Sequence, residues 1–174
     1  MKFFSDIRLL LLAVWLGAAI FFVGAAQVAF RVVQPEQAGA MVGQNLTILN
    51  YGGLCVAVLL LMTSIVGAAK ISRFWLWVER FLLLILAAAC VVGQFVIGFW
   101  MDSIRAQMGR PLSEVSPEDP LRIQFNTVHQ YSEWTLLTAM AAALVVFFII
   151  SNRKFAVAAP EKADVYDFSK EFKA

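Results

Sequence analysis

The chain has 174 residues, of which 61% are hydrophobic and 15% charged, and its mean hydropathy is +0.76. Soluble domains sit nearer about 45–50% apolar and about 25% charged, so a single water-soluble core is excluded and a membrane chain of one domain is expected. The net charge of +2 comes from basic residues near the ends of apolar blocks, which excludes a continuous nucleic-acid-binding patch. Two cysteines, Cys55 and Cys90, both lie inside apolar blocks without metal-ligand spacing, so neither a disulfide framework nor structural zinc is expected.

Four blocks match the roughly 20 apolar residues that cross a bilayer. The first covers residues 9–30 and follows Lys2 and Arg8. A charged start and the small residues Gly24, Ala25 and Ala26 resemble a signal peptide, but the run exceeds an ordinary h-region, so a retained helix is expected. Its small and polar residues fall on one stripe, Gly17, Ile20, Gly24, Gln27 and Arg31.

Pro35 followed by Glu36 is a helix opening, because proline suits the first turn and an acid suits the positive dipole end. A helix over 35–69, apolar over 48–69, would be about 52 Å long; it must tilt, project from the membrane or bend near Gly52 and Gly53. Gly39, Gly43, Leu46, Asn50, Gly53 and Ala57 form its stripe, small residues that let helices approach closely. The third block covers 81–101, with a start as early as Phe74, and carries Leu83, Ala87, Cys90, Gln94 and Met101 at helical spacing. A polar loop with Gly109 and Pro111 leads to Ser116-Pro117-Glu118-Asp119, which reads as a helix cap and first turn. The fourth block is apolar over 134–150, and Arg122, Asn126, His129, Glu133 and Leu137 share one face. A polar tail over 152–174 follows the four-span domain at 1–151. The expected fold is an all-α integral membrane four-helix bundle.

Lys2, Arg8, Lys70, Arg73, Arg80, Arg153 and Lys154 all fall on one side of such a bundle, and the positive-inside rule makes that side, with both termini, cytoplasmic. Trp75 and Trp77 at that edge and Trp100 at the other suit an aromatic belt. With this topology Gln27, Arg31, Asn50, Gln94, His129 and Glu133 lie in the outer halves of their helices, and Arg122 and Asn126 join them in one polar cluster. Polar residues at membrane depth should face other helices or a wet cavity, so a hydrated pocket near the outer face is expected. The inner halves are apolar as far as Glu79 and Arg80, whose partners the spacing leaves open.

His129 and Glu133 are four residues apart on one face, where imidazole and carboxylate can meet. The pair would carry a proton, bind a cation, or tie helices together, and the structural role carries the greater weight. Cys55, Cys90 and His129, with a methionine such as Met41 or Met101, are candidate ligands for a soft cation such as Cu(I); cysteines as small packing residues are the simpler expectation. Bis-histidine haem is excluded because His129 is the one histidine. No phosphate loop, nucleophile elbow or HExxH motif occurs. The expectation is a non-enzymatic accessory, binding or transport module of the cell membrane, without a cofactor, with lipid and a homo-oligomer or membrane protein as partners. Metal handling is the alternative, and a haem or quinone redox subunit a weaker one.

Trp15-Leu16-Gly17 with Phe21-Phe22, Pro35 with Ala38-Gly39, and Arg122, Phe125, His129 and Ser132 in the fourth helix resemble the transmembrane-protein-205-like family. The resemblance implies a four-helix membrane protein of largely unassigned role, with animal relatives linked to platinum-drug resistance. It adds Ser132 to the polar cluster. The small amide residue that the family pattern often places after this serine is missing from Glu133-Trp134-Thr135-Leu136.

Overall fold

A computed structural model describes residues 2–64 and 72–152. The expected charges at Lys70, Arg153 and Lys154, the last residues of the second block and the polar tail from 153 onward lie outside them. The described residues are helical, without strands, and contain four helices long and apolar enough to span a membrane.

Helix α1 runs Lys2–Val32 and α2 runs Pro35–Thr63. The break between them is local chemistry: Gln34 is extended, with φ −57° and ψ 143°, as the residue before proline prefers. Pro35 then takes the first helical position, as expected. Helix α3, Arg73–Val91, begins earlier than the third apolar block. It continues through a π-helical segment, Val92–Ile97, into α4, Gly98–Met108. Gly109 closes α4 in the left-handed conformation, φ 61°, which glycine adopts without a side-chain penalty. Helix α5 runs Pro120–Ser151. Its cap is Asp119, which accepts from the Leu121 N–H at 2.9 Å, whereas Ser116 belongs to the preceding turn.

The spans pack as a ring, with α5 against α3 and α1, and α2 against α1 and α3. One end of the ring, called here the terminal end, is where α1 and α3 start and α2 and α5 stop; the opposite end is distal. Most of the core lies toward the terminal end, with Leu12, Trp15, Ala19, Leu60, Leu83, Leu86, Ala143 and Val146 buried together. A second cluster at the distal end joins Ile97 and Ile104 to Phe125 and Val128. The outward surface is apolar, including Phe21, Ile48, Met62, Phe99 and Phe148. Water would penalise so large an apolar surface, whereas hydrocarbon accepts it. The protein is a multi-pass membrane bundle.

The stripe of α1 faces away from its neighbours. Gly17, Ile20, Gly24, Gln27 and Arg31 are exposed, and Cβ atoms built on Gly17 or Gly24 would meet nothing within 4 Å. Its buried face is instead Ser5, Arg8, Leu12, Trp15, Leu16 and Ala19. Burial here follows the large side chains that fill the ring, and glycines serve close approach only where a neighbour comes near. Gly53 of α2 is such a place: a Cβ there would lie 2.7 Å from Cys90 Sγ and 2.8 Å from Trp15 Nε1.

Candidate functional site

Three polar levels run along the bundle. At the terminal end, Arg8 of α1 and Glu79 of α3 form a buried ion pair through Nη2 and Oε1. The same Arg8 nitrogen donates to the Leu60 carbonyl of α2 at 3.0 Å, so one guanidinium joins three helices. Glu79 is 0% exposed. Beside this pair, Arg80 Nε donates to Ser64 Oγ at 3.0 Å at the end of α2. The sequence left the partners of Glu79 and Arg80 open; each is held by a different neighbour. Charges in a low-dielectric interior are tolerated when paired and hydrogen-bonded, and this arrangement makes the terminal end a three-helix clamp.

In the middle, Trp15 Nε1 donates to the Leu49 carbonyl at 3.0 Å, and its ring packs beside Gly53 and Cys90. The next residue, Asn50, is 8% exposed and lies against Gly93 in the π-helical segment.

At the distal end the polar groups lie on the surface. His129 Nε2 and Glu133 Oε1 are 3.5 Å apart, with side chains 44% and 65% exposed. The imidazole is parallel to the Phe125 ring, centroids 6.3 Å apart. Arg105 of α4 stands over the Phe125 ring at 5.2 Å and is 3.4 Å from Asp102. Asp102, Arg105, Phe125, His129 and Glu133 thus make one ladder across α4 and α5. An open depression alongside is lined by Asn126, Thr127 and Gln130 as well as His129 and Glu133. The loop before α5 is fastened from both sides: Ser113 donates to Glu36 Oε1 through its N–H and hydroxyl, at 3.2 and 2.5 Å. Arg110 is 3.6 Å from Asp119, and Arg122 donates to the Val115 carbonyl.

The expected outer cluster is therefore divided. Asn126, His129 and Glu133 share the open face of α5, and Ser132 is half-buried on the same helix. Arg122 is occupied by Val115, Asn50 is in the bundle interior with Gln94 half-buried on the π-helical segment, and Gln27 and Arg31 are exposed on α1. The candidate metal ligands are not gathered. Cys55 is exposed, Cys90 is buried beside Gly53, Met101 packs with the distal cluster, and His129 is on the α5 face. Among the described residues no group of three His, Cys, Asp or Glu could hold a metal ion.

Sequence reasoning missed the Arg8–Glu79 clamp. Its signal was an acid at the foot of an apolar block and an arginine on the same helical stripe as Leu12, Trp15 and Ala19.

The chain belongs to a family described as a domain of unknown function (DUF4149), whose model matches residues 10–110. The match spans α1 to α4 and ends before α5, so it does not extend to the Arg122, Phe125, His129 and Ser132 pattern. No curated protein and no solved structure matches the chain.

Proposed function

We propose that this protein is a non-enzymatic binding or accessory module of the cell membrane that presents the distal face of α5 to its ligand or partner. In this reading the terminal end is cytoplasmic, as the positive-inside rule favours, and the distal end is outer. The observation that carries the reading is the open polar face built on His129 and Glu133, which lie 3.5 Å apart. It contrasts with a terminal end where Arg8 and Glu79 are buried against each other. A face for recognition needs polar groups within reach, held in place by a rigid support; the Arg105–Phe125–His129 stack supplies that support. We also infer kinship with the transmembrane-protein-205-like family from the residues of α1, α2 and α5 that resemble it.

Metal content, the visible spectrum and native mass of the detergent-purified protein, measured beside His129→Ala and Asn126→Leu, test the reading. The expected result is a colourless, metal-free protein whose co-retained small molecule or protein partner is lost in the variants. Stoichiometric metal or a haem band that disappears with His129→Ala would replace the reading with metal or redox handling. Identical native masses in all three forms, without an adduct, would remove the binding role of this face. A C-terminal reporter active only outside the cytoplasm should be silent, and a signal from it would reverse the topology.

A further inference from the structure

Asn50 is a polar side chain near the middle of a membrane-spanning helix, more than nine-tenths buried. Among the described residues it makes no side-chain hydrogen bond, although its amide is not sealed. Buried amides are ordinarily paired, and polar side chains within membrane helices mark wet or ligand-bearing places. The wall opposite Asn50 is irregular in the matching way. Val92–Ile97 is π-helical, with the Gly98 N–H bonded to the Gly93 carbonyl. A π turn shifts the hydrogen-bond ladder by one residue, so a carbonyl along the segment loses its α-helical donor; such bulges recur at functional sites.

Gly93 lets the amide lie close against this wall. A Cβ built on it would stand 3.3 Å from Asn50 Nδ2 and 3.6 Å from Oδ1, so a side chain at this position would press on the amide. Tyr51 and Phe95, the residues after Asn50 and Gln94, meet edge to face at 6.2 Å and link the two walls. Trp15 holds α2 from the other side through Leu49. We propose that the unsealed edge of the Asn50 amide, beside the π-helical segment of α3, forms a notch that binds one neutral hydrogen-bonding oxygen, carried by water or by the hydroxyl or carbonyl of a membrane-soluble amphiphile. An amide both donates and accepts, so it matches such an oxygen without a charge. The notch is separate from the His129–Glu133 face, and either site can fail alone.

The test places Asn50→Cys in a Cys55→Ser, Cys90→Ala background in membranes, with Leu60→Cys as the sealed control. A charged methanethiosulfonate and an uncharged aryl maleimide are compared, with and without Gly93→Ala and 1-decanol. Reaction with the charged reagent that is lost with Gly93→Ala identifies water as the occupant. Reaction with the maleimide alone, slowed by 1-decanol, identifies an amphiphile. Labelling no faster than Leu60→Cys, or insensitive to both Gly93→Ala and 1-decanol, overturns the proposal. Should the cysteine variant not fold, the unsubstituted protein decides by NMR. Cross-peaks from the Asn50 side-chain amide to water or to the 1-decanol hydroxyl support the notch, and the absence of both overturns it.

Discussion

The terminal and distal halves of this bundle handle polar groups in opposite ways. At the terminal end Arg8 and Glu79 are taken out of solvent and joined to the Leu60 carbonyl, so α1, α2 and α3 meet at one point. At the distal end His129, Glu133, Arg105 and Asp102 remain on the surface, and rings and short loops hold the helices. The buried residues of α1 all lie at or before Ala19, whereas α5 continues to bury Phe125 and Val128 near its start. Helix α1 is thus anchored at one end and α5 along its length. Removing one member of a buried pair leaves a charge in low dielectric, while an exposed pair loses little.

That contrast predicts a graded set of stability effects. Glu79→Ala strands the Arg8 guanidinium in the interior and should cost about 3–5 kcal/mol, the usual cost of breaking a buried pair. Reversible unfolding in mixed micelles measures it. Replacing both partners, Arg8→Leu with Glu79→Leu, should recover most of the loss, because a packed apolar pair avoids the desolvation penalty. A double variant as unstable as the single one would mean that the clamp has an additional hydrogen-bonding role.

Gly53→Ala should come next. Its methyl group would sit 2.7 Å from Cys90 Sγ and 2.9 Å from Trp15 Cε2, and overpacking of this kind costs roughly 1–3 kcal/mol. Gly24→Ala, where the added carbon meets nothing within 4 Å, is the matched control and should be neutral or slightly stabilising. Trp15→Phe should cost about 1 kcal/mol through loss of the indole hydrogen bond to Leu49, seen as a lower unfolding midpoint with the fold retained.

The sequence was legible where one helix decides the outcome and opaque where two must agree. Four spans, the Pro35 opening and the burial of Asn50, Gly53 and Ala57 follow from length, proline chemistry and helical spacing, and the structure has them. The Arg8–Glu79 contact joins residues 71 positions apart, and nothing local separates a buried arginine from a positive-inside charge at a helix start. The α1 stripe failed for a related reason: Gly17 and Gly24 permit close approach but do not attract it, and Trp15 already fills the gap to α2. For the distal cluster, spacing placed His129 and Glu133 together. It did not reveal that Arg122 is committed to Val115 or that Gln27 and Arg31 are exposed on α1.

The smallest expected effect is also the most discriminating. His129→Ala and Glu133→Gln remove an ion pair whose side chains are 44% and 65% exposed, and exposed pairs contribute about 0–1 kcal/mol. Each variant should therefore unfold within about 0.5 kcal/mol of the unsubstituted protein, as surface changes usually do. Phe125→Ala, by contrast, removes a ring buried in the distal cluster, on which Arg105 and His129 both rest, and should cost about 3–5 kcal/mol. If His129→Ala is instead as damaging as Phe125→Ala, the imidazole holds helices together and the distal face is structural. If it is silent in unfolding yet removes a bound component, stability and binding reside in different residues of the same ladder, as expected of a face kept polar for recognition.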